Sequence, residues 1–210
     1  MKKITQIFAI MLLVSSFSIA QGFKVKASGE KSFTFFDQYG KNQVTFFSKT
    51  PLEDITGTAS GIKGGVKFDV NNFSSSSGKI TVDVASMKTG IDMRDDHLRS
   101  AGWLDAEKYP EITFEIKKVS SVEKSADNRL KGKLIGAYTM HGVTKDVTAD
   151  FDVTYLDESE QTKMRAPGDL LGVRASFNVK LSDYGVSHMV IGNKVADEIE
   201  VSVNVVGYNQ

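Results

Sequence analysis

Arg94, Asp95, Asp96 and His97 stand in a row inside "MRDDHLRSAGWLDAEKYPEITFE", residues 93–115. Carboxylate, imidazole and guanidinium side chains are the parts of general acid–base catalysis, which needs a titratable group poised beside a reacting atom and held by a second group. The nucleophile such chemistry usually recruits is missing. The chain contains no cysteine and no G-x-S-x-G elbow. Two other readings fit the same residues. The charges can cap a short helix and tie it down through ion pairs, or they can line a polar mouth that holds a ligand head group, with Arg94, Asp95 and His97 as its members. A metal site needs several convergent ligands. His97, His141 and His188 lie far apart, with no H-x-H or H-E-x-x-H spacing, so neither a metal nor any other cofactor is expected.

The insert has a readable local form. Asp92 is a candidate N-cap, and Asp95 favours the positive end of the helix that follows. Gly102 is a natural stop. A second turn begins at Asp105 and ends at Tyr109-Pro110, because the residue before proline is pushed toward extended geometry. Trp103 and Leu104 between the two turns are candidate anchors.

The elements that must position this insert are strands. "DVTADFDVTYL" puts Val147, Ala149, Phe151, Val153 and Tyr155 on one face and Thr148, Asp150, Asp152 and Thr154 on the other. "LGVRASFNVKL", "EIEVSVNV", "KITVDVAS" and "EITFEIKKV" alternate in the same way. Period-two patterning of this kind means antiparallel strands with one dry face and one wet face. Turn chemistry separates them at 40–42, 64–65, 71–79, 126–129, 141–142 and 166–169. Eight to ten strands are expected. The fold class is all-β: an antiparallel, lipocalin-like barrel of about eight strands, with a short helical insert over one end. A barrel of that size has an interior that side chains just fill or that holds one small ligand. Thirteen Phe and six Tyr either pack that interior solid or line a tunnel through it. The candidate walls are Val82, Val84, Ile112, Phe114, Phe151, Val153, Phe177, Val179, Val201 and Val203.

The chain opens with Lys2 and Lys3, an apolar run from Ile4 to Ile19 and a small-x-small ending at Ser18-Ile19-Ala20. This is the pattern of a secretory signal cut after Ala20, with an uncleaved anchor as the alternative. It implies export, to a periplasm or the extracellular space, and no stable membrane insertion afterwards. Residues 21–210 suit one domain. Lys+Arg and Asp+Glu are equal at 26 each, and losing Lys2 and Lys3 leaves the remainder slightly acidic. No basic-aromatic stripe remains, which argues against a nucleic-acid partner. The absence of cysteine in an exported chain means a fold without disulfides.

"RDDHLRSAGWLDAEKYPEITF" resembles the first signature of the YceI-like family, and "GAYTMHGVTKDVTADF" at 136–151 resembles its second, a strand ending in a T-x-H-G-V-T-K turn. "LSDYGVS" at 181–187 and "VADEIEVSV" at 195–203 resemble the third and fourth. The resemblance implies a secreted or periplasmic lipocalin-like barrel that binds, carries or stores a polyisoprenoid or similar amphiphile in an elongated apolar tunnel. It implies no enzymatic activity. One stretch departs from the family pattern: "NQVTFFSKTPLEDITGTAS" lacks the expected early histidine and carries Pro51, so its strands should be short or bent. The rival readings are a solid-core exported interaction or stress-related protein and a hydrolase or isomerase using Asp95 and His97. Oligomeric state is left open, a homodimer included.

Overall fold

The computed structural model describes residues 21–37 and 40–209; the signal-like segment lies outside them. Among the described residues there are ten strands: β1 (Glu30–Thr34), β2 (Gln43–Lys49), β3 (Asp54–Ala59), β4 (Ile62–Asp69), β5 (Asn72–Asp83), β6 (Glu111–Ala126), β7 (Arg129–Met140), β8 (Val143–Leu156), β9 (Leu170–Lys180) and β10 (Glu198–Tyr208). Helix α1 (Asp92–Arg99) interrupts them between β5 and β6, and α2 (Glu160–Lys163) sits between β8 and β9. All pairings between strands are antiparallel. Strand β1 and strands β4 to β10 form a closed eight-stranded circuit, with β10 returning to β1 through Thr34 and Tyr208. Closure leaves no long free edge.

The expected alternation is present. Ala149, Phe151, Val153 and Tyr155 point inward and are buried, while Thr148 and Asp150 face out. The outward face carries cross-strand ion pairs such as Arg129–Asp152 and Lys133–Asp150, both 2.6 Å. Exposed pairs of this kind contribute little, on the order of 0–1 kcal/mol; they keep that face wet.

Two expected loops are strand instead. Gly64-Gly65 lie within β4, and 72–79 run through β5. These glycines answer to close backbone approach rather than to chain reversal. A Cβ on Gly64 would lie 2.0 Å from the Lys79 carbonyl oxygen, and one on Gly78 would lie 2.3 Å from that of Gly65. Glycine inside a strand often marks such an approach. Ser76, in the run expected at a hairpin tip, is buried and donates to the Phe73 carbonyl. The true reversal is at Val70-Asn71, where Asp69 pairs with Asn72. Turns at 127–128 and 141–142 fall where expected; His141 and Gly142 both have positive φ, 51° and 75°, as a two-residue type I′ turn requires.

The barrel wall is spliced along one line. β10 pairs with β2 from Ile199 to Asn204, then with β1 at Tyr208. Val206 lies between these partners, and the Asn42 side chain serves it as a strand would. Asn42 Oδ1 accepts from the Val206 amide at 2.8 Å, and Nδ2 donates to the carbonyls of Val206 and Phe35. On the far side of β2, β3 closes on the segment leading to the insert by paired backbone bonds between Thr58 and Lys88, 2.7 and 2.8 Å. The divergent stretch gives two short strands, seven residues in β2 and six in β3.

Candidate functional site

One end of the barrel is filled. Phe23, Phe33, Phe68, Phe73 and Tyr155 form a contiguous aromatic cluster with ring centroids 5.0–5.8 Å apart. Phe23 comes from the segment ahead of β1, which crosses this end and bonds to it through Phe23 N–H to Val70 O and Phe73 N–H to Gln21 O. The Tyr155 hydroxyl donates to Asp169 at 2.5 Å.

Above this plug the bore opens. A narrow shaft of about 130 Å³ is walled by inward residues of nearly every strand, among them Val82, Phe114, Phe151, Val153, Phe177 and Val203. It leads to an antechamber of about 560 Å³ under the insert. Phe46, Met87, Ile112, Tyr138 and Val201 line both spaces and form the neck between them. The shaft is empty partly because glycines let large rings lie flat against the wall. A Cβ on Gly136 would lie 2.2 Å from the Phe114 ring, and one on Gly57 would lie 1.9 Å from the Phe46 ring. With the strand backbone beneath them, these rings cover the wall instead of crossing the axis. Polar atoms are few in the shaft. Ser76 is satisfied by Phe73 O, and Lys79 is exposed.

The insert roofs the antechamber. Arg94, His97 and Leu98 of α1 line it together with Trp103, Leu104 and, from the loop after β9, His188 and Val190. Leu104 is buried, and Trp103 stacks on His188 with centroids 4.8 Å apart. The helix is secured differently from expectation. The N-cap position is Ile91, with no side-chain cap; Asp92 does not serve. Asp95 folds back instead and accepts from the Thr89 amide at 2.6 Å and the Thr89 hydroxyl at 2.5 Å. Arg94 completes the clasp, donating from Nε to Thr89 Oγ1 and from Nη2 to Thr89 O. The Thr89 hydroxyl bond holds the Asp95 carboxyl below the ordinary carboxylate range against the opposing effect of burial, with the Thr89 amide and then Arg99 and Arg94 assisting.

Of the sequence-derived wall residues, Val82, Ile112, Phe114, Phe151, Val153, Phe177, Val179, Val201 and Val203 line the shaft or the antechamber. Val84 does not. It is buried in the short 3-10 turn Val84–Ser86 that ends β5, where alternation stops and its side chain packs in the core. Arg94 and His97 face the antechamber, but Asp95 does not, being buried and committed to Thr89. Asp95 and His97 are therefore not coupled as an acid–base pair. The three histidines divide: His97 and His188 both line the antechamber, whereas His141 Nδ1 lies 3.1 Å from Tyr184 O at a hairpin turn. Among the described residues no group of three potential metal ligands converges. Of the five neck residues, sequence reasoning named Ile112 and Val201 and missed Phe46, Met87 and Tyr138. Phe46 fell in the divergent stretch, and Met87 follows a strand end where period two no longer applies.

The YceI-like domain model matches residues 36–207. The chain belongs to the YceI-like family. Protein YceI of Salmonella agona is 28% identical over 203 residues, covering 97% of this chain and 95% of that one. Among solved structures, the Campylobacter jejuni YCEI protein aligns with a TM-score of 0.61 at 25% identity, over 77% of this chain and 88% of that one. A polyisoprenoid binding domain from Saccharophagus degradans aligns with a TM-score of 0.61 at 13% identity, over 88% and 100%; at that identity the likeness is one of fold.

Proposed function

We propose that this YceI-like barrel binds an apolar amphiphile, with a polyisoprenoid as the ligand class, and carries or stores it outside the cytoplasm without chemical change. The observation that carries the reading is the blind, apolar shaft opening into a roofed antechamber. Small-molecule sites are concave and mostly apolar with a few placed polar groups. The antechamber has the size of such a site, roughly 300–1,000 Å³, and the shaft extends it inward for a slender tail. Burial of apolar surface is worth about 25 cal/mol per Å², so a few hundred Å² of tail supplies several kcal/mol, from which the ordering cost is subtracted. The structural neighbour described as a polyisoprenoid binding domain supports the ligand class. Val82, Ile112, Phe114, Phe151, Val153, Phe177, Val179, Val201 and Val203 are the proposed tail contacts; Arg94 and His97 are the proposed head-group contacts.

Export supports this role, since a lipid outside the bilayer needs a dry container. The apolar leader at residues 4–19 is the basis for it, and the backbone bonds that hold the chain from Gln21 onward are compatible with cleavage after Ala20. N-terminal sequencing of protein from the producing cell should begin at Gln21. The binding reading is tested by solvent extraction of purified protein and mass spectrometry, followed by incubation of stripped protein with a defined isoprenoid alcohol. Recovered isoprenoid, or stoichiometric uptake, is expected. Clean extracts together with failure to take up the alcohol would overturn it.

A further inference from the structure

We propose that the Tyr138 hydroxyl donates a hydrogen bond to a neutral acceptor oxygen of the bound molecule, so that the site takes an oxygen-bearing amphiphile and discriminates against the matching hydrocarbon. This rests on the binding reading above and refines it.

Tyr138 belongs to the neck, lining both shaft and antechamber. It is 5% exposed. Its ring is fixed by edge contacts with Phe177 and Tyr184, centroids 5.3 and 5.4 Å apart. Among the described residues its hydroxyl has one hydrogen-bond partner, Met140 Sδ at 3.7 Å. A thioether is a weak acceptor, and a buried hydroxyl without a good partner is costly. Such a group calls for an explanation. A buried tyrosine at the far end shows the contrast: the Tyr155 hydroxyl reaches the Asp169 carboxylate at 2.5 Å. Burial pushes the Tyr138 phenol far above its ordinary value, so at any working pH it is a donor.

The acceptor should be uncharged. Among the neck residues the heteroatoms are the Tyr138 oxygen and the Met87 sulfur, so nothing there neutralises an anion. Two cations line the antechamber above the neck: Arg94 already spends Nε and Nη2 on Thr89, and Lys194 is not among the residues shared with the shaft. Bringing an oxyanion into an apolar neck without a counter-charge is expensive. A carbonyl or ether oxygen at the junction of head and tail fits instead, with the tail below in the shaft and the remainder above in the antechamber.

The test uses farnesylacetone, an isoprenoid ketone, and the hydrocarbon in which its carbonyl is replaced by methylene. Binding to full-length mature protein is read by fluorescence of Trp103, the sole tryptophan, and by ligand retained after gel filtration. The ketone should bind roughly three- to tenfold more tightly than the hydrocarbon, the range one net hydrogen bond supplies. Tyr138→Phe should erase that preference, so that the ketone and the hydrocarbon bind the variant equally. Equal binding of the two probes by the unaltered protein overturns the proposal and leaves the carrier reading standing; it would mean that water satisfies the hydroxyl. Binding of neither probe overturns both. A preference that survives in Tyr138→Phe also overturns the assignment, whatever the variant's stability.

Discussion

At the plug end, five aromatic rings pack in tilted, stacked and edge-on pairs and a crossing segment seals them; at the mouth end, a helix and two loops span open space above a neck. The two ends draw on different strands: the plug rings stand on β1, β4, β5 and β8, the antechamber wall on β2, β3, β6, β7, β9 and β10, and the connections add different chemistry to each. The plug receives Phe23 from outside the sheet and a tyrosine–carboxylate bond. The mouth receives a polar clasp, Asp95 and Arg94 on Thr89, that fixes the roof without filling the space under it. A barrel this size cannot be stable and empty everywhere. Concentrating packing at one pole leaves the other free to be hollow.

This contrast can be broken most directly at the plug. Phe68→Ala should cost about 3–5 kcal/mol in urea unfolding, as large buried aromatics do. A cost near the value of a surface change would show that the plug is not the stabilising pole. Gly136→Val should cost about 1–3 kcal/mol by overpacking and push the Phe114 ring toward the axis, so uptake of the isoprenoid alcohol should fall more than stability does. Asn42→Ala, which strips the seam at Val206, should cost about 1–3 kcal/mol through the unsatisfied backbone groups left behind, with uptake retained; hydrogen exchange at the Val206 amide would report the loss. Acid sharpens the comparison further. Asp95 at the mouth and Asp169 at the plug are both held below the ordinary carboxylate value. At Asp169 the burial effect is outweighed by bonds from Tyr155, the Glu158 amide and Asn209. A depressed carboxylate contributes stability that is full above its unfolded value and is lost as pH falls through the folded one. Stability should therefore fall below the ordinary carboxylate range, and Asp95→Asn should flatten the part that loosens the roof, seen as earlier Trp103 solvent exposure. The smallest effect is expected at the rim: Met93→Ala, at a side chain 70% exposed, should change stability by no more than about 0.5 kcal/mol.

Period-two alternation made β8, β9 and β10 legible because a single register decides every side chain's direction. Of the ten wall residues it proposed, nine line the shaft or the antechamber. It failed where backbone contact outweighs side-chain pattern. Gly64, Gly65 and Gly78 look like turn residues in isolation, and only the neighbouring strands show why a Cβ is excluded. Val84 was misplaced because the strand ends one residue earlier than the alternation suggests. Asp92 reads as the N-cap by residue type and Asp95 only as a favourable charge in the first turn; that Asp95 secures the helix instead depends on Thr89, three residues before Asp92. Asn42 carries no local signal at all, since its role exists only where three distant strands meet. The Trp103–His188 stack and the Tyr138 neck are likewise products of the closed fold.

The crossing segment has a consequence for orientation. Gln21 is bonded to Phe73, and Asn209 is bonded to Asp169, so both ends of the described chain leave from the sealed pole. An affinity tag or a surface linker joined at either one starts from the pole away from the entrance. A molecule tethered by its terminus would hold its opening toward the surrounding fluid, like a cup fixed by its base.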